Sequence, residues 1–313
     1  MTFSVILPLF NKAPYVEKTI ESVLGQTFGD FELIVVDDGS TDSSFEMARK
    51  AFRDDPRCRI LHQNNSGVSL ARNNGVAVSS GDYICFIDGD DWWDSRFLER
   101  IDWLIREYPE AGIYGTNYYY VKNGRQRVCV KFAETGYINY CRVYAEGMAM
   151  PLTSISVALS PRVFNENGGF KSGLKLGEDF DLWIRIALKH KVAFLNEPLA
   201  FYNQDSDPKW RGIRQLPDPQ SHMLWNLDYL AAEEESNPDY KQLIDNLRVY
   251  SLFPYFLSKK YRDTARTELK KVDWNKQPKR TRTLYQMPLL YLRLRQCFLK
   301  TGSAVKQWIK HHI

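Results

Sequence analysis

The 313-residue sequence has no run of about 20 apolar residues, so nothing in it reads as a membrane-spanning helix. Cysteine is sparse. The five residues Cys58, Cys85, Cys129, Cys141 and Cys297 are odd in number and form no C-x-x-C pair. This argues against a disulfide framework and fits a reducing compartment. Five histidines (His62, His190, His222, His311, His312) lack metal-ligand spacing. G-x-x-x-x-G-K-[ST], G-x-G-x-x-G and G-x-S-x-G are all missing. Their absence removes the usual P-loop, dinucleotide and serine-hydrolase classes. The N-terminus has no basic n-region, and Pro8 interrupts its apolar stretch, so no signal peptide is expected. The expectation is a cytoplasmic protein.

What is present is ordinary in amount: 44% hydrophobic and 26% charged residues, as in a soluble globular chain. The net charge of +4 is too mild to imply nucleic acid, and no nucleic-acid partner is expected. The charge is unevenly placed, however. The last acid is Asp273, and Lys276, Lys279, Arg280, Arg282, Arg293, Arg295, Lys300, Lys306 and Lys310 follow it unopposed. A one-sided basic tail points to an anionic partner or surface.

The first hundred residues alternate in character. "FSVILPLF", "FELIVVD", "RCRILHQ" and "DYICFID" read as strands. Between them Val16–Leu24, a segment after Asp42–Ser43, Val68–Val78 and Phe97–Tyr108 carry apolar residues at helical spacing. Apolar strands between helices predict a mostly parallel sheet covered on both faces. Ligands of such sheets bind beyond the carboxyl ends of the strands. The polar strand ends 8–11, 37–42 and 88–94 should therefore share one rim. From residue 112 the pattern changes. "YYYVKNGRQRVCV" predicts a hairpin turning at Asn123-Gly124. "SISVALSPRVF" predicts a strand and a turn, "GEDFDLWIRIALKHK" a helix, and "VAFLNEPLAFYN" a strand pair or extended segment. Residues 206–220 read as loop and 221–313 as mostly helical.

The densest chemistry is "FIDGDDWWD", where Asp88, Asp90, Asp91 and Asp94 follow a buried strand. Carboxylates this close raise each other's pKa unless a cation relieves them. Oxygen-only ligands favour Mg2+ or Mn2+, although an acid-rich turn can equally be a solvated loop. Asp37-Asp38 ends a second strand, where Asp42 or Ser43 can cap the next helix. Arg72 in "GVSLARNNG" can neutralise a phosphate or sit on a helix surface. Glu178-Asp179 open a helix, where acids usually serve the macrodipole.

Together, "SVILPLFNKAPYVEKTIESVLGQTFGDFELIVVDDGSTD", "GVSLARNNG", "GDYICFIDGDD", "NGGF" and "GEDFDLWIRIA" resemble, in that order, the blocks of the family 2 inverting glycosyltransferases of GT-A fold and bacterial surface-polysaccharide type. The likeness covers residues 3–203. It implies an α/β nucleotide-sugar-binding domain at 1–205, with a nucleotide half at 1–110 and an acceptor half at 111–205. A helical C-terminal region would follow at 206–313. The resemblance implies that Pro8, Phe10 and Asn11 line the nucleotide pocket; Phe10 stands where tyrosine is more frequent. Asp38 would contact the uracil of a UDP-sugar donor, and Arg72 would lie near the nucleotide. Asp88 and Asp90 would hold a divalent metal, Mn2+ or Mg2+, with Asp91 beside them on the donor. Asp179 would be the catalytic base, and the helix of Trp183 and Arg185 would support the acceptor. The acceptor would be a glycan or lipid-linked oligosaccharide.

Two other readings compete: a metal-dependent nucleotidyltransferase, and a non-catalytic nucleotide-sugar-binding protein. The first would need a Gly-rich basic loop where this chain has "PLFNKAPY". The second would not need both a D-x-D and a separate acid pair. The resemblance does not reach the C-terminal third. There "LLYLRLRQCFLK" places Arg293, Gln296 and Lys300 on a narrow polar stripe of a helix. Such a helix either docks on the catalytic domain or lies on the inner face of the cell membrane, its cations meeting anionic headgroups.

Overall fold

The computed structural model describes residues 1–131, 133–206 and 216–292. Contacts divide the chain into two compact units, Met1–Asn226 and a second beginning at Leu227.

The first unit opens with the expected alternation. The order is β1 (Phe3–Leu9), α1 (Val16–Leu24), β2 (Phe31–Asp37), α2 (Ser44–Ala51), β3 (Cys58–His62), α3 (Val68–Ala77), β4 (Tyr83–Phe86), a two-residue β5 (Trp92–Trp93) and α4 (Phe97–Glu107). Then come β6 (Ala111–Lys122), β7 (Arg125–Val128), β8 (Gly136–Ile138), α5 (Tyr140–Gly147), β9 (Val157–Leu159), α6 (Pro161–Glu166), α7 (Glu178–Ala187) and β10 (Lys191–Asn203). Among the described residues ten strands join one sheet in the order β3-β2-β1-β4-β9-β6-β10-β5, with β7 on β6 and β8 on β10. β1, β2, β3 and β4 run parallel, and so do β6 and β10. β9 is antiparallel to both β4 and β6 and joins the two halves.

All seven residues of β1 are buried, because helices cover both faces of its sheet. α1 buries Val16, Thr19, Ile20 and Val23, the spacing of one helical face. α3 comes so close to the sheet that a Cβ on Gly75 would lie 2.4 Å from Ile6 Cγ2. Interiors are packed too densely to absorb that overlap without a shift.

The β6–β7 hairpin turns at Asn123-Gly124, as expected, with both residues at positive φ. Two local readings needed correction. "VAFLNEPLAFYN" is one strand, β10, which shifts register around Pro198, where the missing N–H cannot join the ladder. The turn expected after "SISVALS" is a short helix, α6. Ser160 caps it by accepting from the Val163 N–H, and Pro161 sits in its first turn. The unit runs past the expected boundary near 205. His222 bridges Leu176, and the Met223 N–H donates to the Leu176 carbonyl.

The second unit is helical: α8 (Ala231–Ser236), α9 (Pro238–Ser251), α10 (Phe253–Leu257), α11 (Arg262–Leu269) and α12 (Lys279–Gln286). Its apolar interior includes Tyr240, Leu243, Ile244, Leu252, Tyr255 and Ala265. Beside that interior lies a buried ion network. Arg248 Nη1 and Nη2 donate to Glu234 at 2.5 and 2.8 Å, Lys241 Nζ donates to Asp245 at 2.5 Å, and Lys271 pairs with Glu268 at 2.9 Å. The Arg293–Lys300 stripe lies outside the described residues. Among the described residues no helix is long and apolar enough to cross a membrane.

Candidate active site

The site sits where the carboxyl ends of β1, β2 and β4 meet. The Asp38 N–H donates to the Leu9 carbonyl, and the Ile87 N–H donates to that of Ile6. These bonds draw the three polar strand ends onto one rim. Asn11 locks it: its Oδ1 accepts from the Thr41 N–H at 2.8 Å and the Asp42 N–H at 3.3 Å. Asn11 is buried and turned into the fold, whereas Phe10 beside it is 40% exposed. Pro8 is buried within β1. Asp38 is also buried. Its carboxylate accepts from Gln63 Nε2 at 2.8 Å, the Ser66 N–H at 2.7 Å and the Gly67 N–H at 2.8 Å. Asp38 thereby shapes the loop that leads into α3.

Arg72, on α3, is the centre of the rim. It is fully enclosed. Its Nη2 donates to Asp88 Oδ1 at 2.7 Å and its Nη1 to Glu178 Oε1 at 3.3 Å. Its guanidinium lies 5.1 Å from the centroid of the Phe170 ring. Burial opposes its charge, but Asp88, Glu178 and Asp179 overcome that and hold the group ionised above its usual range. The helix-surface alternative for Arg72 is therefore excluded: one buried cation ties the acid turn after β4 to the first turn of α7.

The acids of "DGDD" part company. Asp88 takes Arg72, and Asp90 takes Lys12 Nζ at 2.6 Å. Asp91 differs from expectation: it faces inward, 2% exposed, and its Oδ1 accepts from the Asn203 N–H at 2.7 Å. Burial, then Asp90 and Asp88, push its carboxyl well above the ordinary range. It fastens β10 to the acid turn. Asp94 Oδ1 accepts from the Arg96 N–H at the head of α4 at 3.0 Å.

Asp179, in the first turn of α7, accepts from the Phe180 N–H at 2.7 Å. Burial, then the charge of Glu178, push its carboxyl up to about 7, against a partial pull downward from Arg72. A dipole partner at a helix start would be lowered. Asp179 is instead poised to exchange a proton near neutral pH.

Three tyrosines feel the charge of this carboxyl, and none was singled out from the sequence. Tyr144 packs edge-on to Phe180, ring centroids 5.8 Å apart, and Tyr140 lies 6.5 Å from the same ring. Tyr202, on β10, is 38% exposed and stands edge-on to Tyr120, its register partner, at 5.6 Å. Burial first raises all three phenols, and nearby charge adds to it: chiefly Tyr144 for Tyr140, Asp179 for Tyr144, and Asp91 with Asp88 and Asp90 for Tyr202. The clue in the sequence was "YYY" at 118–120, but only the β6–β10 register pairs Tyr120 with Tyr202.

The remaining blocks clasp one another. Asn73 Nδ2 donates to the Phe170 carbonyl at 2.8 Å, and the Phe170 N–H donates back to Asn73 Oδ1 at 3.0 Å. Arg185 pairs with buried Asp181 at 2.8 Å and donates to the carbonyls of Asn167 and Gly169. Gly169 needs its φ of +61° there, and a Cβ would press on Phe164 and Asn73 Oδ1 at 3.0 Å. Trp183 is fully buried core. Trp183 and Arg185 are thus framework behind the site.

Among the described residues no three His, Cys, Asp or Glu side chains gather to hold a metal. Two rim carboxylates, Asp88 and Asp90, nevertheless fit Mg2+ or Mn2+, which take one or two carboxylates when substrate phosphates complete the shell. Each meets a side-chain cation through one oxygen, Asp88 through Oδ1 and Asp90 through Oδ2. A cavity of about 440 Å³ opens beside Asp90, lined in part by Tyr15, Lys18, Trp92, Asn203 and Asp205. Lys18 Nζ lies 2.9 Å from the centroid of the Trp92 ring, and Phe201 stacks with that ring at 5.4 Å.

Residues 4–152 match the family described as "Glycosyl transferase family 2". The uncharacterized glycosyltransferase EpsJ of Bacillus subtilis (strain 168) is 39% identical over 123 residues, covering 39% of this chain and 36% of that protein. Glycosyltransferase GlyA of Streptococcus pneumoniae serotype 4 is 33% identical over 212 residues, covering 64% and 30% respectively. The chain thus spans about a third of the length of these curated relatives. In fold it is similar to S. aureus TarS 1-349 in complex with UDP-GlcNAc, with a TM-score of 0.73 and 20% identity over 90% of this chain and 83% of that one. It is also similar to the mannosyltransferase PcManGT from Pyrobaculum calidifontis in complex with GDP-Man and Mn2+. There the TM-score is 0.60 and the identity 17%, over 98% and 82% of the chains.

Proposed function

We propose that this chain, whose residues 4–152 match the model of glycosyl transferase family 2, transfers a sugar from a nucleoside diphosphate sugar to a hydroxyl of a glycan acceptor. The observation that carries the reading is the division of labour on the rim. Asp88 and Asp90 are engaged with cations, while Asp179 stands apart with its carboxyl pushed up to about 7.

In this reading the nucleotide lies over the ends of β1 and β2, where Phe10 is open at the mouth and Asp38 holds the loop in shape. The diphosphate faces Lys12 and the Asp88–Asp90 turn. A divalent metal bound there supplies positive charge for the leaving phosphate. Asp179 takes the proton from the acceptor hydroxyl. The acceptor oxygen bonds to the anomeric carbon, and the carbon–oxygen bond to the diphosphate breaks, its electron pair leaving with the nucleotide. Attack opposite the leaving group inverts the anomeric centre. Arg72 neither donates nor takes a proton; it holds Asp88 and Glu178 in place and offsets their charge. Tyr202, Tyr120 and Tyr144 form the wall for the acceptor ring.

UDP is the expected nucleotide: the TarS complex carries UDP-GlcNAc, while the PcManGT complex carries GDP-Man. A glycan or lipid-linked oligosaccharide acceptor suits the wall, and the basic second unit suits an enzyme working at the inner membrane face. The test is turnover of a panel of UDP- and GDP-sugars with Mn2+, on wild type, Asp179→Asn and Asp90→Ala. Asp179→Asn should lose transfer but keep nucleotide binding, and Asp90→Ala should lose the metal-dependent part of binding. Full transfer by Asp179→Asn would refute the base assignment.

A further inference from the structure

The second unit has a cavity of about 420 Å³, within the size range of small-molecule sites. Its walls are apolar and aromatic: Phe256, Leu269, Trp274 and Tyr285. The Tyr285 ring lies 5.1 Å from both Phe256 and Trp274, centroid to centroid. The polar tips of these rings are spent inward. Tyr285 Oη donates to the Val249 carbonyl at 2.5 Å, and Trp274 Nε1 donates to the Leu269 carbonyl at 3.1 Å. What remains for a ligand from these two residues is ring face.

Three cations also line the cavity: Arg266, Lys270 and Arg282. Among the described residues, Lys270 and Arg282 have no carboxylate partner. Arg266 reaches only Asp263, at 3.5 Å, whose side chain is 95% exposed. The acids that could neutralise this face are taken. Glu234, Asp245 and Glu268 are committed to Arg248, Lys241 and Lys271, and Asp273 caps the turn at Asn275. Residues 259–282 hold ten Lys and Arg against three Asp and Glu, in a chain whose whole net charge is only +4. An apolar cup with uncompensated cations is the complement of a phosphate carried on an apolar body.

We propose that this cavity binds the headgroup end of an anionic lipid, with the phosphate held by Lys270, Arg282 and Arg266 and the first part of an aliphatic chain held against Trp274, Tyr285 and Phe256. The site is independent of the sugar-transfer reading, since it shares no residue with the rim.

The test is calorimetric titration of the full chain with dihexanoyl phosphatidylglycerol below its micelle concentration, with dihexanoyl phosphatidylcholine and inorganic phosphate in parallel. The glycerol lipid should bind at least tenfold more tightly than the choline lipid, whose headgroup brings its own cation. Inorganic phosphate should displace it only at concentrations a hundredfold higher. Lys270→Glu with Arg282→Glu should cost at least tenfold in affinity at an unchanged melting temperature. Arg282→Gln alone serves if the double variant melts early, and should cost about threefold. Equal binding of the two lipids, displacement by phosphate at equal concentration, unaltered binding by the charge variants, or no binding at all would each overturn the proposal.

Discussion

Asp179→Asn should abolish transfer and, at the same time, stabilise the fold above neutral pH. Burial and then the Glu178 charge push the Asp179 carboxyl from 3.8 up to about 7. Between those values the folded chain keeps a proton that the unfolded chain has released. Stability therefore falls as pH rises from about 4 to about 7, and the full loss persists above that. A rise of about three pH units, at about 1.4 kcal/mol each, sets a ceiling of about 4 kcal/mol. Asparagine has the same shape and no charge to bury, and its amide oxygen can still accept from the Phe180 N–H. The attraction to Arg72 that it gives up is already included in the shifted value. For a unit of 226 residues each kcal/mol moves the melting point by about 2–4 °C. At that ceiling the variant should melt about 8–16 °C above wild type at pH 8, with the gap narrowing to less than half of that at pH 5. Scanning calorimetry at the two pH values reads this directly. A variant that melts below wild type at pH 8, or follows the same pH dependence, would refute the placement of a strained carboxylate at 179.

Tyr202→Ala should raise the acceptor KM about tenfold or more while leaving the donor KM within twofold, if the exposed ring walls the acceptor as proposed. Tyr202→Phe keeps the ring and should recover most of that loss; initial rates with each substrate varied in turn separate the two. Asn73→Ala removes both bonds to the Phe170 backbone at 2.8 and 3.0 Å. With the Phe170 N–H and carbonyl left short of partners, urea unfolding should show a loss of about 2 kcal/mol.

The parallel strands and their shared rim were legible because the signals are local. "VILPL", "LIVVD" and "YICFID" each announce burial, and each ends in polar residues, so the sheet rule places those ends together. The side on which each acid falls was not legible. Asp90 and Asp91 are neighbours of identical type, yet one meets Lys12 on the rim and the other lies buried. What separates them is the Asn203 N–H, supplied by a strand 112 residues further on. The same holds for Tyr202, an ordinary strand aromatic until its register sets it against Tyr120. Arg72 was ambiguous for a related reason: a helix arginine is usually solvated, and only the arrival of α7 encloses it.

These long-range placements also decide which acid can do which chemistry. Arg72 offsets Asp88 and Glu178, and Lys12 offsets Asp90. Asp91 is pushed well above the carboxylate range and takes its N–H from β10. Asp179 has no ion pair within reach among the described residues, and Glu178 is its immediate neighbour. Asp91 and Asp179, the two rim carboxyls raised above the ordinary range, are the two without a side-chain cation bound to them among the described residues. In the proposed reading, the separation between binding acids and a basic acid follows from where two cations, Arg72 and Lys12, are spent.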